Sequence, residues 1–128
     1  MTINETNFGK IEISPIAIAT LAVETALSSY GVVGLASRSK FDDWRRSLLR
    51  GVYAHPGVTV SVDDGAIVVD LYIIVEYGTR ISEVARSVMH RVQYTLEQTV
   101  GLPVGAVNVH VQGLRVSGPT LIPWKVEP

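Results

Sequence analysis

The sequence has no cysteine among its 128 residues, which excludes disulfide bridges, zinc–thiolate sites and thiol catalysis. It also lacks an excess of either charge, because 11 basic and 12 acidic side chains leave a formal net charge of −1. No overall field would therefore attract the chain to nucleic acid or to an anionic membrane.

Long apolar runs are missing as well. The longest, residues 66–75, is interrupted by Asp70 and is far shorter than the ~20 residues that a membrane-spanning helix needs. The first residues have neither a basic start nor an apolar run, so we expect no signal peptide. These absences favour a cytoplasmic protein.

Apolar residues are nevertheless abundant, at 47% of the chain, with a mean hydropathy of +0.28. A chain of this length forms one domain that buries roughly two-thirds of its unfolded surface. The extra apolar content indicates either a subunit interface or a core rich in valine and alanine. We expect a flexible N-terminus over residues 1–9, a single domain over 10–116 and a proline-rich tail over 117–128.

The first half of that domain contains a predicted strand and two predicted helices. Residues 10–13 alternate as a strand does, and Ser14-Pro15 is typical of a helix start that Gly31 would end. Residues 32–36 are a short strand or a linker. Residues 41–50 form a second candidate helix with an apolar stripe.

The second half has a clearer pattern of strand, turn, strand, helix, strand. Residues 58–62 and 66–77 alternate around Asp63-Asp64-Gly65, a hairpin turn that tolerates positive φ and is a better interpretation than a metal loop. A helix capped by Thr79 would end at Gly101, and residues 106–111 would return parallel to the second strand. One apolar and one mixed face per strand predict an α/β (α+β) two-layer sandwich, with a small mixed sheet and helices on one face.

No residue pattern indicates an enzyme, a metal site or a cofactor site. His55, His90 and His110 lie in a turn, on a helix and on a strand, without the spacing to a carboxylate that metal ligands show. The serines lack the context of an activated nucleophile. Gly31-Val-Val-Gly34 matches the GxxG loop of KH-type RNA-binding modules, but its valines carry no charge for phosphates.

Two surfaces are candidates for partner binding. Residues 38–50 hold five basic and two acidic side chains. They form either a docking surface for an acidic partner or an anionic membrane face, or a solvated helix face. The outer sheet face carries aromatic and aliphatic side chains that either the tail, through Trp124, or another subunit would cover. The candidate contact residues are Trp44, Arg45, Arg46, Arg50, Tyr72, Ile74 and His110.

The chain resembles the alkaline shock protein family of bacterial envelope stress-response proteins over residues 9–116. The more specific segments are residues 69–78, 81–86, 101–104 and 107–113. Residues 11–14, the alanine-rich first helix and residues 31–34 resemble the family's N-terminal half. The basic segment and the tail depart from typical members.

The resemblance implies a small, cytoplasmic, non-enzymatic protein that associates with itself and acts through other proteins. Some members are held at the inner membrane face by a separate membrane-anchored partner, and others accompany a dihydroxyacetone-kinase-like protein. We therefore expect a self-associating protein of cell-envelope homeostasis, without cofactor or catalytic residues. The alternative is a small RNA- or nucleic-acid-binding α/β module, which the small α/β layout and the basic segment suggest.

Overall fold

The computed structural model describes residues 2–36, 52–55 and 57–116. In chain order its elements are β1 (Thr2–Thr6), β2 (Gly9–Glu12), α1 (Pro15–Leu27), β3 (Val32–Leu35), β4 (Val52–His55), β5 (Val58–Asp63), β6 (Ala66–Glu76), α2 (Ile81–Val100) and β7 (Val104–Arg115). The predicted helix over residues 41–50 and the predicted tail over 117–128 lie outside the described residues.

The main sheet has five strands and is built around β6. One edge of β6 pairs antiparallel with β5 over residues 66–71 and then with β3 over residues 73–75, while β4 pairs with the far side of β5. The other edge pairs in parallel with β7 over nearly its whole length. The predicted mixed sheet and the parallel return after the helix are both confirmed.

Both helices pack on one face of this sheet, as the sequence predicts. α1 contacts β3, β4, β5 and β6, whereas α2 contacts α1 and β7. The core-facing row of β6 is completely buried, and so is most of the apolar stripe of α2. These residues are Ile67, Val69, Leu71, Ile73 and Val75 on β6, and Val84, Val88, Val92, Leu96 and Val100 on α2.

Local sequence chemistry explains where the helices begin and end. The Ser14 hydroxyl accepts a hydrogen bond from the Ile16 amide at 3.1 Å, and Pro15 occupies the first helical position. α1 ends at Leu27, earlier than Gly31 predicts. Gly31 serves another purpose: its φ is +86°, and a Cβ there would lie 2.7 Å from Val84 Cγ2. It therefore permits close packing of α2 against the start of β3.

Several predictions need correction. Arg80, not Thr79, is the N-cap residue of α2, and its side chain makes no capping hydrogen bond. The Thr79 hydroxyl instead donates to the Glu76 carbonyl at 2.7 Å. The alternation of residues 58–62 puts Val62 with Val58 and Val60 on the apolar face of its strand, but Val62 is 43% exposed because it lies at the end of β5 beside the hairpin turn. The GxxG segment leads into β3 and does not join two helices, so it lacks the KH arrangement.

A second, two-stranded sheet lies at the N-terminus. Residues 2–6, assigned from the sequence to a flexible N-terminus, form β1 and pair antiparallel with β2. The sequence gives little indication of this hairpin because residues 2–6 are mostly polar and lack an alternating apolar set. The described side chains of β2 and of the turn are exposed, so this hairpin contributes little to the core.

Candidate interaction surface

A polar cluster occupies the centre of the outer sheet face. Asp70 on β6 lies opposite Asn108 on β7, two positions before Tyr72 and its neighbour His110. Asp70 Oδ1 accepts a hydrogen bond from Asn108 Nδ2 at 3.1 Å and lies 3.2 Å from His110 Nε2. The side chains of His110 and Asp70 are 41% and 21% exposed. The cluster joins β6 to β7 and leaves the imidazole accessible.

The other outer-face residues predicted from the sequence are much less accessible. Tyr72 and Ile74 are only 5% and 3% exposed. The Tyr72 ring stacks on the His110 ring, with centroids 4.6 Å apart and planes 14° from parallel. His110 is thus the member of this predicted set that offers surface to a partner. Trp44, Arg45, Arg46 and Arg50 lie outside the described residues.

Thr59 lies on the same outer face, on β5 directly opposite Asp70. The residue is 3% exposed, and its hydroxyl finds no hydrogen-bond partner within the described part of the chain. A buried hydroxyl without a partner costs free energy, because it has given up its bond to water. The sequence did not single out this residue, since its burial depends on the packing of the whole face.

An apolar groove runs along the opposite side of the molecule, between α1 and the end of α2. Its volume is about 450 Å³. It is lined by Ile13, Ala17, Thr20, Leu21, Glu24, Thr99 and Val100. The groove could not be predicted from the sequence, because most of its walls come from two helices that are distant in sequence. The polar groups that would orient a substrate are scarce in this lining.

Large apolar side chains that lie near the end of α1 and near the start of α2 in the sequence are also exposed. This apolar end patch consists of Leu27, Tyr30, Tyr77 and Ile81, whose exposed fractions are 45%, 83%, 59% and 38%. The backbone brings Tyr30 and Tyr77 together, because the Glu76 amide donates to the Gly31 carbonyl at 2.8 Å. Exposed apolar side chains that lie together, as Tyr30 and Tyr77 do, are typical of protein contact sites.

The described residues contain no cluster of three or more His, Cys, Asp or Glu side chains that could hold a metal ion. His55 lies on β4 and His90 on the exposed side of α2. Over the same residues, none of the helices combines the length and the apolar character that a membrane crossing requires.

Comparison with known proteins gives one family and several relatives. The model of the alkaline shock protein 23 family, described as having a cell envelope-related function, matches residues 3–116. The chain is 46% identical over 114 residues to YloU of Bacillus subtilis strain 168, covering 89% of this chain and 95% of that protein. It is 42% identical over 113 residues to Spy1614 of Streptococcus pyogenes serotype M6, covering 88% and 93%.

Among solved structures, the copper form of the MamM CTD resembles this fold at a distance. The TM-score is 0.48 and the sequence identity is 17%, over 82% of this chain and 90% of that one.

Proposed function

The chain belongs to the alkaline shock protein 23 family, whose function is cell envelope-related, and on that premise we propose that it is a non-enzymatic, self-associating protein of envelope homeostasis and stress response. It acts through protein–protein contacts. Its place of action is the cytoplasmic face of the envelope, where a membrane-anchored partner protein holds it. A dihydroxyacetone-kinase-like partner is the alternative that the family resemblance supplies.

The observation that carries this proposal is the apolar character of the exposed helix layer. Besides the apolar end patch, Ile16 on α1 and Tyr94 on α2 are 56% and 68% exposed. Tyrosine and aliphatic side chains in this setting provide the rigid contact area that protein interfaces use.

The polar residues support a binding role over a catalytic one. The Asp70–His110 pair orients an imidazole, but the described side chains within hydrogen-bond distance of the pair include no serine, threonine or lysine that it could activate. The apolar groove offers volume without a convergent set of polar groups. Both features suit recognition of another protein.

A genetic experiment tests the envelope role. We expect cells that lack this protein to grow more slowly than the parent under alkaline stress or with an inhibitor of cell-wall synthesis. The wild-type gene should restore growth, and the double variant Tyr30→Ser/Tyr77→Ser should not, although its circular dichroism and thermal unfolding stay native.

The matched control is Lys10→Ala, which removes an exposed ion pair with Glu12 on the N-terminal hairpin and should restore growth fully. Equal growth of the deletion strain and its parent under every envelope stress would contradict the envelope role. Full rescue by the double variant would show that the apolar end patch is not the contact surface.

A further inference from the structure

The free edge of β7 has the properties of a pairing site for a second copy of this chain. β7 is 12 residues long and, in the described part of the chain, pairs only with β6. Its sole charged residue is Arg115, at its last position. Edge strands that must stay single usually carry charges or proline along their length, and β7 carries neither before that position.

The register identifies which backbone groups are available. In a parallel pair, every second residue of a strand directs its amide and carbonyl to the neighbouring strand. Such a residue, opposite position j, bonds to the residues before and after j, so the backbone groups of residue j itself face away. The Ile67 amide donates to the Pro103 carbonyl, just before its β7 neighbour Val104, so Ile67 and every second residue after it on β6 bond to β7. These bonding residues include Val69, Leu71 and Ile73, which lie opposite Val107, Val109 and Val111. The amide and carbonyl groups of Val107, Val109 and Val111 therefore point outward.

These outward groups lie in a segment that is nearly symmetric about its centre. Residues 107–111 are Val-Asn-Val-His-Val and form the regular part of β7, between the bulges at Gly105 and Gln112. A two-fold axis through Val109 would set Val109 against the second copy's Val109 and Val107 against the second copy's Val111. It would also set Asn108 against the second copy's His110. An isologous interface requires this kind of self-complementary order.

The side chains favour the same arrangement. Val109 and Val111 face the core yet are only partly buried, because the sheet ends at β7. Arg91 of α2 contacts Ser28 and Ser29 at the end of α1, so Met89, about 200° around the helix, lies on the opposite flank, above the free edge. Met89 is 36% exposed. A second copy would cover both valines and bring the two Met89 side chains together.

We propose that two copies of this chain associate through antiparallel pairing of their β7 strands about Val109, which makes one continuous sheet with α1 and α2 of both copies on one face. This rests on the self-association in the proposed function and names the surface that carries it. Strand addition of this kind takes its affinity mainly from backbone hydrogen bonds.

Sedimentation or light scattering on the purified full chain tests the proposal. We expect the wild type to have twice the 13.9 kDa mass of one chain, or a multiple of that. Val109→Pro removes an outward amide that β6 does not use, and proline is tolerated there. It should raise the dissociation constant of the pair at least about tenfold relative to Val109→Ala, which loses a similar side chain but keeps the amide.

A cross-linking measurement tests the β7 pairing even if Val109→Pro does not fold. Because the chain has no cysteine, Val109→Cys supplies a single thiol, which the proposed register places against its own copy. We expect mild oxidation to convert most of it to a disulfide-linked dimer, whereas the control Ser87→Cys, at an exposed position of α2 outside the proposed contact surfaces, should stay mostly monomeric.

A wild type that is monomeric at every concentration would contradict both self-association and β7 pairing. A wild-type oligomer that is unaffected by Val109→Pro, or that gives no cross-link with Val109→Cys, would overturn β7 pairing alone and leave self-association through another surface.

Discussion

At the scale of single residues, two buried threonines differ in whether their hydroxyl has a hydrogen-bond partner. Thr25 is 8% exposed and its hydroxyl donates to the Leu21 carbonyl at 2.8 Å, whereas the Thr59 hydroxyl has no partner in the described part of the chain. Valine has nearly the same shape as threonine but no hydroxyl. The same substitution should therefore act in opposite directions at the two positions.

We expect Thr59→Val to raise the free energy of unfolding by about 1 kcal/mol, because an unsatisfied polar group leaves the interior. Thr25→Val should lower the free energy of unfolding by about 1 kcal/mol through the lost hydrogen bond. Urea denaturation of both variants measures the difference. A loss of stability in Thr59→Val equal to that in Thr25→Val would mean that the Thr59 hydroxyl does have a partner.

Residue patterns predicted the core of this protein better than its outer face. The alternation from Ile67 to Val75 specified the buried row of β6, because a strand exposes and buries side chains with period two. The pairing of Asp70 with Asn108 and His110 could not be predicted, since it depends on the extra residue Gly105 in β7. Burial of Tyr72 and Ile74 likewise depends on tertiary packing over a face that the sequence shows as mixed.

At the scale of elements, Arg91 of α2 makes polar contacts with the end of α1. Its guanidinium donates to the Ser28 carbonyl and to the Ser29 hydroxyl, at 3.3 and 3.2 Å, and so satisfies acceptors at the C-terminal end of α1. A cation at this end also interacts favourably with the helix dipole. The last turn of α1 contains no basic residue of its own.

We expect Arg91→Ala to lower the free energy of unfolding by about 1–2 kcal/mol, because charge-assisted hydrogen bonds between α1 and α2 are lost. The matched control is Arg86→Ala on the same helix, whose exposed ion pair with Glu83 should contribute less than about 1 kcal/mol. Chemical denaturation measures both. Equal effects of the two variants would show that Arg91 does not join the helices.

At the scale of the whole molecule, the proposed pairing makes stability depend on concentration. Association of folded chains removes them from the unfolding equilibrium, so Tm should rise as the protein concentration rises. Val109→Pro should abolish this dependence and Val109→Ala should keep it. Calorimetry over a wide range of concentration provides the measurement, and a Tm of the wild type that does not change would contradict the pairing.

The position of β6 also governs the order in which the chain can fold. This apolar strand needs β5 and β3, which precede it in the sequence, and β7, which follows only after the whole of α2. During synthesis, the edge of β6 that pairs with β7 therefore stays unpaired until β7 has left the ribosome. Nascent chains that stall within α2 present an open, apolar sheet edge, and these are the forms that we expect chaperones to bind.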